Sequence, residues 1–62
     1  MQPMSRLKEY REKRILTQME LAERSGVSRA TIARLETTST KATPKTARKL
    51  AEVLKVRPQT LV

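Results

Sequence analysis

Residues 17–36, TQMELAERSGVSRATIARLE, predict two short helices joined by a tight turn. The first helix is expected to begin at Thr17, because Thr17 and Glu20 have the spacing of a capping box, in which a hydroxyl and a carboxylate satisfy free backbone amides. Gly26 is expected to end this helix, since a residue without a Cβ readily adopts the left-handed conformation of a sharp helix exit. Ser28 then caps the second helix.

The two predicted helices each have one face that packs and one that is presented to solvent. Small or aliphatic residues lie where crossing helices must touch, at Leu21, Ala22, Val27, Ile32 and Leu35. The second helix turns a different set of residues to the other side, namely Arg29, Ala30, Ala33, Arg34 and Thr37. This pattern predicts an amphipathic pair of helices with a basic outer face.

The outer face of the second helix has the chemistry of a surface that reads DNA. The major groove exposes hydrogen-bonding base edges and thymine methyl groups, so a helix docked there needs polar or small side chains. Arg29 lies in the first turn and is expected to contact guanine, while Arg34 is expected at a base edge or a phosphate. Ala30 and Ala33 keep the helix surface low enough to approach the groove floor. The alternative is an exposed helix face with two ordinary arginines.

Side chains around this face are candidates for contacts with DNA phosphates. Gln18 begins the preceding helix, so its amide is placed to bond a phosphate at the positive end of the helix dipole. The other candidates are Thr17, Ser28, Thr31, Thr38, Thr40 and Lys41. For Thr17 and Ser28 the alternative is helix capping alone, and for Lys41 it is simple exposure to solvent.

The charge of the chain agrees with a polyanionic partner. Fourteen Lys and Arg against six Asp and Glu give a formal net charge of +8 in 62 residues. Such a field attracts nucleic acid, although a solvated basic surface is the alternative. The single aromatic residue, Tyr10, leaves neither an aromatic belt for a membrane surface nor stacking platforms for single strands. Double-stranded DNA is therefore the expected partner.

Composition excludes several functional classes. The chain has no cysteine and no histidine, which removes disulfides, thiolate metal sites and the commonest general base. We therefore expect no catalysis, no metal, no cofactor and no small-molecule substrate. No apolar run approaches the roughly 20 residues that span a bilayer, and no signal peptide is recognisable. A soluble, cytoplasmic protein is expected.

The flanking segments extend the prediction to an all-α domain over residues 1–62. Pro3 suits the first turn of a helix over residues 3–14. Arg11 interrupts its apolar stripe, and either its stem covers the core edge or its guanidinium forms an ion pair. The next connection contains Ile15 where a left-handed glycine or asparagine would be expected.

The segment after the central pair predicts a loop and two further helices. Residues 37–42 are polar and indicate a surface loop. Thr43 and Pro44 predict the start of a fourth helix that ends near Lys55. Its apolar face consists of Ala47, Leu50, Ala51 and Leu54. The same start signal, repeated at residues 56–58, predicts a final short helix.

Residues 17–36, followed by ATPKTARKLAEVLKV at residues 42–56, resemble the DNA-binding domain of Cro and lambda-repressor-like regulators, the XRE family. The resemblance rests on Gln18, Leu21-Ala22, Gly26-Val27-Ser28, Ile32, Leu35-Glu36, Leu50-Ala51, Leu54 and Val56. It implies a compact lambda-repressor-like fold of five helices, with the helix-turn-helix, residues 17–36, at helices 2 and 3.

The resemblance also implies roles for individual residues. It implies that Gln18 grips the DNA backbone and that the bases are read by Arg29, Ala30 and Arg34. It further implies an ion pair between Arg11 and Glu36, which joins the first helix to the end of the third. Ile15 and Thr37-Thr38 depart from glycine-containing positions of the family, so contacts from the loop at residues 37–42 rank below the others.

These observations predict a sequence-specific DNA-binding transcriptional regulator. We expect a repressor that occupies an operator as a symmetric homodimer, with residues 61–62 as the dimer surface; binding as a monomer is the alternative. A rival of the same class is an antitoxin or restriction controller that regulates its own operon with a protein partner. A rival of another class is a protein-interaction module that binds nucleic acid without specificity.

Overall fold

Four α-helices and one turn of 3₁₀ helix form the described part of the chain, residues 4–37 and 42–61 of a computed structural model. In chain order they are α1 (Leu7–Lys13), α2 (Gln18–Ser25), α3 (Arg29–Thr37), α4 (Pro44–Leu54) and a C-terminal 3₁₀ helix (Pro58–Leu61). These residues contain no strand, so the predicted all-α class is confirmed. None of their helices is long and apolar enough to cross a membrane.

Two of the predicted helices are shorter than expected. The helix expected over residues 3–14 begins only at Leu7, after a turn at residues 5–6, and no side chain caps its start; Pro3 lies outside the described residues. The predicted fifth helix is a single 3₁₀ turn, so the count of five α-helices is wrong and the described residues form four. Leu61 returns to the core within four residues of Pro58, and such short segments adopt the tighter 3₁₀ geometry.

One cluster of buried apolar side chains joins all these elements. Its fully buried members are Met4, Leu7, Leu21, Ile32, Leu50, Leu54 and Leu61. Val27 and Leu35 also belong to the cluster, and Ala22 packs against it while half-buried. Full burial of an aliphatic side chain contributes roughly 1.5–3 kcal/mol. The apolar core is therefore the main source of stability in a chain of this size.

The start of α2 and its connection to α3 have the predicted local structure. Thr17 Oγ1 accepts a hydrogen bond from Glu20 N at 3.0 Å, and Glu20 Oε1 accepts one from Thr17 N at 2.9 Å, which completes the capping box. Gly26 ends α2 with a φ of 76°. Ser28 Oγ then accepts a hydrogen bond from Thr31 N at the start of α3. These short-range contacts define the helix-turn-helix unit.

The connection between α1 and α2 has a left-handed residue without the glycine that favours it. Ile15 has a φ of 55°, a region in which a β-branched residue is strained. Its side chain is 87% exposed, so packing does not offset the strain. Arg14 Nε donates to Leu54 O at 2.9 Å and fixes this corner against the end of α4.

The C-terminal segment packs inward. Arg6 N donates to Leu61 O at 2.9 Å, which ties the segment before α1 to the 3₁₀ helix. Leu61 itself is completely buried. The expectation that residues 61–62 form a dimer surface is therefore wrong for Leu61, because a core side chain cannot contact a second copy; Val62 lies outside the described residues.

Candidate nucleic-acid interface

Helix α3 presents a basic outer face opposite a buried inner face. Ile32 and Leu35 are 0% and 2% exposed, which fixes the inner side of α3 in the core. On the outer side Arg29, Ala30 and Arg34 are exposed, and Ala33 is half-buried. The structure therefore brings together, on one solvent-facing side of one helix, all four residues that the sequence predicts to read bases.

Arg29 stands at the first position of α3. Its side chain is exposed and has no hydrogen bond or ion pair with any residue that the structure describes. A guanidinium group offers a planar fork of N–H donors that matches the two acceptors of guanine in the major groove. The first turn of α3 can therefore offer a bidentate donor to an external acceptor.

Ser28 and Thr31 hold the start of α3. The Ser28 hydroxyl donates to Thr31 Oγ1 at 2.8 Å and accepts from Thr31 N at 3.2 Å. Ser28 is exposed and Thr31 is half-buried. The Ser28 hydroxyl thus caps α3 and donates its hydrogen to Thr31. The Thr31 hydroxyl keeps its own hydrogen, which it can donate to a phosphate.

A network of three side chains and one backbone carbonyl joins α1, the start of α2 and the end of α3. Arg11 Nε and Nη2 donate to the two carboxylate oxygens of Glu36, at 2.6 Å and 3.0 Å. Arg11 Nη1 donates to Leu16 O at 2.6 Å. Gln18 Nε2 donates to Glu36 Oε1 at 3.0 Å. The ion-pair alternative for Arg11 therefore describes the structure better than a solvent-exposed guanidinium.

The network lies mostly out of water. The side chains of Arg11 and Glu36 are 11% and 1% exposed, so each charge depends on the other for compensation. The hydrogen bonds to Glu36 raise the pKa of the Arg11 guanidinium above its usual range. Arg11 therefore stays charged at neutral pH.

Thr17 and Glu20 show how capping competes with a role in DNA binding. Both the hydroxyl oxygen of Thr17 and its backbone N–H are engaged with Glu20. The backbone N–H of Thr17 lowers the pKa of the Glu20 carboxyl, and the Thr17 hydroxyl adds to this effect. The capping function of Thr17 is thus present in the structure, while its phosphate contact stays a prediction.

Two further sets of expectations concern the loop after α3 and a metal site. Thr38, Thr40 and Lys41, the phosphate-contact candidates of the loop, lie outside the described residues. In the described part of the chain no three acidic, cysteine or histidine side chains come together as a metal site.

Sequence reasoning missed two contacts at this surface. The bond from Gln18 to Glu36 spans 18 positions, and the carbonyl of Leu16 serves as an acceptor for Arg11. The sequence signal for the Gln18–Glu36 contact was indirect. Arg11 lies on the apolar stripe of α1 and needs a carboxylate nearby, and that carboxylate is Glu36. Nothing in the local sequence points to a backbone carbonyl as its second partner.

Comparison with known proteins agrees with this architecture. A family model described as helix-turn-helix matches residues 7–61. Among solved structures, the restriction-modification controller protein C.AhdI from Aeromonas hydrophila matches with a TM-score of 0.85 and 31% sequence identity, over 94% of this chain and 88% of that chain. Comparison with curated proteins gives no match.

The family and the geometry lead to the same conclusion. The family is one of DNA-binding regulators and is not an enzyme family. Its model covers the core except Met4, the helix-turn-helix unit and the basic outer face of α3. The chain therefore belongs to the XRE-type helix-turn-helix family and is a DNA-binding transcriptional regulator.

Proposed function

We propose that the chain is a sequence-specific repressor that occupies an operator in double-stranded DNA. The outer face of α3 carries this proposal, because its two exposed arginines flank small side chains on a helix whose inner side is fixed in the core. Such a face suits the major groove, where low side chains permit close approach and arginine reads guanine. Occupancy of an operator is sufficient for repression.

The proposed contacts divide into base reading and phosphate binding. Bases are read from the outer face by Arg29, Ala30, Ala33 and Arg34. Phosphates are held by Gln18 and by the first backbone amides of α2, which have no partner inside the helix. Thr17, Ser28 and Thr31 add hydroxyl groups near the two helix starts, and Thr38 and Lys41 are the loop candidates. Phosphate contacts position the protein, whereas base contacts provide specificity.

We further propose that two copies bind two half-sites roughly 34 Å apart as a symmetric dimer. Because Leu61 is buried, the dimer surface is assigned instead to two half-buried apolar side chains that pack at the edge of the core cluster, Val53 and Val56. These side chains leave apolar area that a second copy would cover. Sedimentation of the protein with and without operator DNA measures this state.

Selection of bound duplexes from a random pool tests the proposed specificity. A selected duplex should bind far more tightly than a scrambled duplex of the same length, with a loss of about 1–3 kcal/mol for each substituted base pair that is read. The logarithm of affinity should fall with the logarithm of salt concentration by about 0.9 per phosphate contacted. Equal binding to every duplex would contradict sequence-specific readout.

A second candidate function is control of a restriction-modification system. It is favoured by the similarity to C.AhdI, which is a restriction-modification controller protein. The selected DNA sequence would then lie upstream of restriction or modification genes in the genome that encodes this chain. Selected sites found only beside unrelated genes would leave the general repressor as the better description.

The surface of α3 argues against a protein-interaction module. Among the described residues the exposed large hydrophobic side chains are Ile15 and Met19, and neither lies on α3. Protein interfaces concentrate their binding energy in large apolar or aromatic side chains at the centre of the contact. The outer face of α3 offers arginine and alanine there instead.

A further inference from the structure

We propose that Glu36 is a positioning residue for DNA binding, which holds the Gln18 amide so that one of its N–H groups remains available to a phosphate. This inference rests on the proposed function and adds to it a residue that does not itself contact DNA. Glu36 acts from the inner side of α3, through Gln18 at the first position of α2.

The hydrogen-bond inventory of Gln18 supports this role. A glutamine amide nitrogen carries two hydrogens. One is donated to Glu36 Oε1 at 3.0 Å, and the Gln18 side chain has no second partner in the described part of the chain. Gln18 is half-buried, so its side chain is partly accessible. The amide is thus held at one hydrogen and open at the other.

The charge of Glu36 is compatible with a phosphate nearby only because Arg11 accompanies it. A lone carboxylate would repel a phosphate that approaches Gln18. Arg11 donates to both carboxylate oxygens, at 2.6 Å and 3.0 Å, and the pair is nearly excluded from water. The pair therefore presents a neutral support, and Gln18 is the donor that extends from it.

The same network fixes the backbone at the start of α2. Arg11 donates to Leu16 O at 2.6 Å, one residue before the capping residue. The side chain and the backbone that face a phosphate at this helix start are therefore both tied to the end of α3. A donor fixed before binding loses less side-chain entropy on binding than a free one, which favours affinity.

A thermodynamic cycle on the folded protein tests this coupling. Its two arms are Gln18→Ala and the double variant Arg11→Met/Glu36→Leu, which replaces the buried pair with apolar side chains so that no charge is left unpaired. Thermal unfolding by circular dichroism first establishes that each variant is folded. Fluorescence anisotropy then gives dissociation constants for the selected duplex and for a scrambled one.

Gln18→Ala should weaken binding about tenfold on both duplexes, as expected for loss of a hydrogen bond to a charged group. Arg11→Met/Glu36→Leu should weaken binding severalfold, and in that background Gln18→Ala should cause less than about a threefold further loss. A full tenfold loss in that background would overturn the inference, because Gln18 would then act without Glu36. Undiminished binding of both duplexes by Gln18→Ala would overturn the inference too. If that variant still preferred the selected duplex over the scrambled one, the proposed function would remain intact.

A measurement on the unaltered protein avoids any loss of folding. The two side-chain amide protons of Gln18 are followed by NMR, with Gln59, whose side chain is exposed, as an internal control. One Gln18 proton should resonate apart from the free-glutamine position before DNA is added, and the other should shift on addition of the selected duplex. Free-glutamine positions for both protons in the absence of DNA, or no response of either to DNA, would overturn the inference.

Discussion

The inner and outer faces of α3 differ in what their side chains contact. On the inner face Ile32, Leu35 and the Glu36 carboxylate are held by the core or by the Arg11 network. On the outer face Arg29, Ala30 and Arg34 are exposed to solvent. Under the proposed function, folding and DNA reading are therefore assigned to separate sides of one helix. Outer-face residues can then vary with the operator while the fold is maintained.

The strongest test of the inner face is Glu36→Ala. This change leaves the Arg11 guanidinium without its carboxylate, and we expect a loss of about 3–5 kcal/mol in the free energy of unfolding. That is a large part of the free energy of unfolding of a native protein, which is about 5–15 kcal/mol. Urea unfolding followed by circular dichroism measures it. Arg11→Met/Glu36→Leu is the matched control and should recover most of the loss; a Glu36→Ala protein as stable as the parent would contradict the division between the faces.

Arg29→Ala tests the outer face in the opposite way. DNA binding should lose about 1–3 kcal/mol at one base pair, and base preference at that position should relax. The free energy of unfolding should change by less than about 0.5 kcal/mol, because the residue is exposed. Anisotropy and thermal unfolding measure the two quantities. Arg29→Lys keeps the charge without the fork of donors, so restored specificity in that variant would argue against bidentate reading.

Thr17→Ala separates a role in folding from a role in DNA binding at the start of α2. Loss of the capping hydroxyl should lower stability by about 1 kcal/mol, whereas Thr17→Ser keeps the hydroxyl and should be nearly neutral. Urea unfolding compares the two variants. If the folded Thr17→Ala protein also binds every duplex less tightly, the hydroxyl contacts a phosphate; an unaltered affinity would assign Thr17 to folding alone.

Ile15→Gly should make the protein more stable at a site remote from the α3 contrast. Relief of a left-handed β-branched residue gains about 1–2 kcal/mol, and the extra chain entropy of glycine removes about 0.5–1 kcal/mol of that gain. A net rise in unfolding temperature of a few degrees is expected, with DNA affinity unchanged. Ile15→Ala keeps the Cβ and serves as the control. A lower unfolding temperature for Ile15→Gly would show that the left-handed conformation carries little strain.

The smallest expected effect is the pH dependence of the α2 cap. The pKa of Glu20 lies below its ordinary value of 4.5 in the folded protein. Its charge therefore stabilises the fold above that value, and this contribution disappears as the pH falls through the lower folded pKa. The stability difference between the parent and Glu20→Gln should be constant near neutral pH and shrink below about pH 4.5. Thermal unfolding across this range measures it, and a difference that grows on acidification would contradict the assignment.

Sequence reasoning succeeded where the determining contacts are local. The Thr17–Glu20 capping box spans three positions, and Gly26 ends α2 through its own backbone conformation. Both are encoded by short patterns, so the helix-turn-helix unit follows from residues 17–36 alone. The outer face of α3 was equally accessible, because helical periodicity assigns its residues once the buried positions are known.

Contacts between distant positions were predicted less well. Arg11 and Glu36 are 25 positions apart, and their pairing was supported by a family resemblance rather than by local pattern. The bond from Arg14 to Leu54 O spans 40 positions and has no signal in the sequence. The buried position of Leu61 likewise depends on where the whole chain returns, which the helix-start signal at residues 56–58 does not specify.

The hydrogen bond from Arg6 N to Leu61 O, at 2.9 Å, makes the segment before α1 and the C-terminal 3₁₀ helix backbone neighbours. Any module fused at either end of the domain would consequently leave from one point on its surface. Two fused modules would share a high effective concentration and would meet each other readily, even with short flexible tethers. The same adjacency would suit a circularly permuted form, in which a brief link joins these ends.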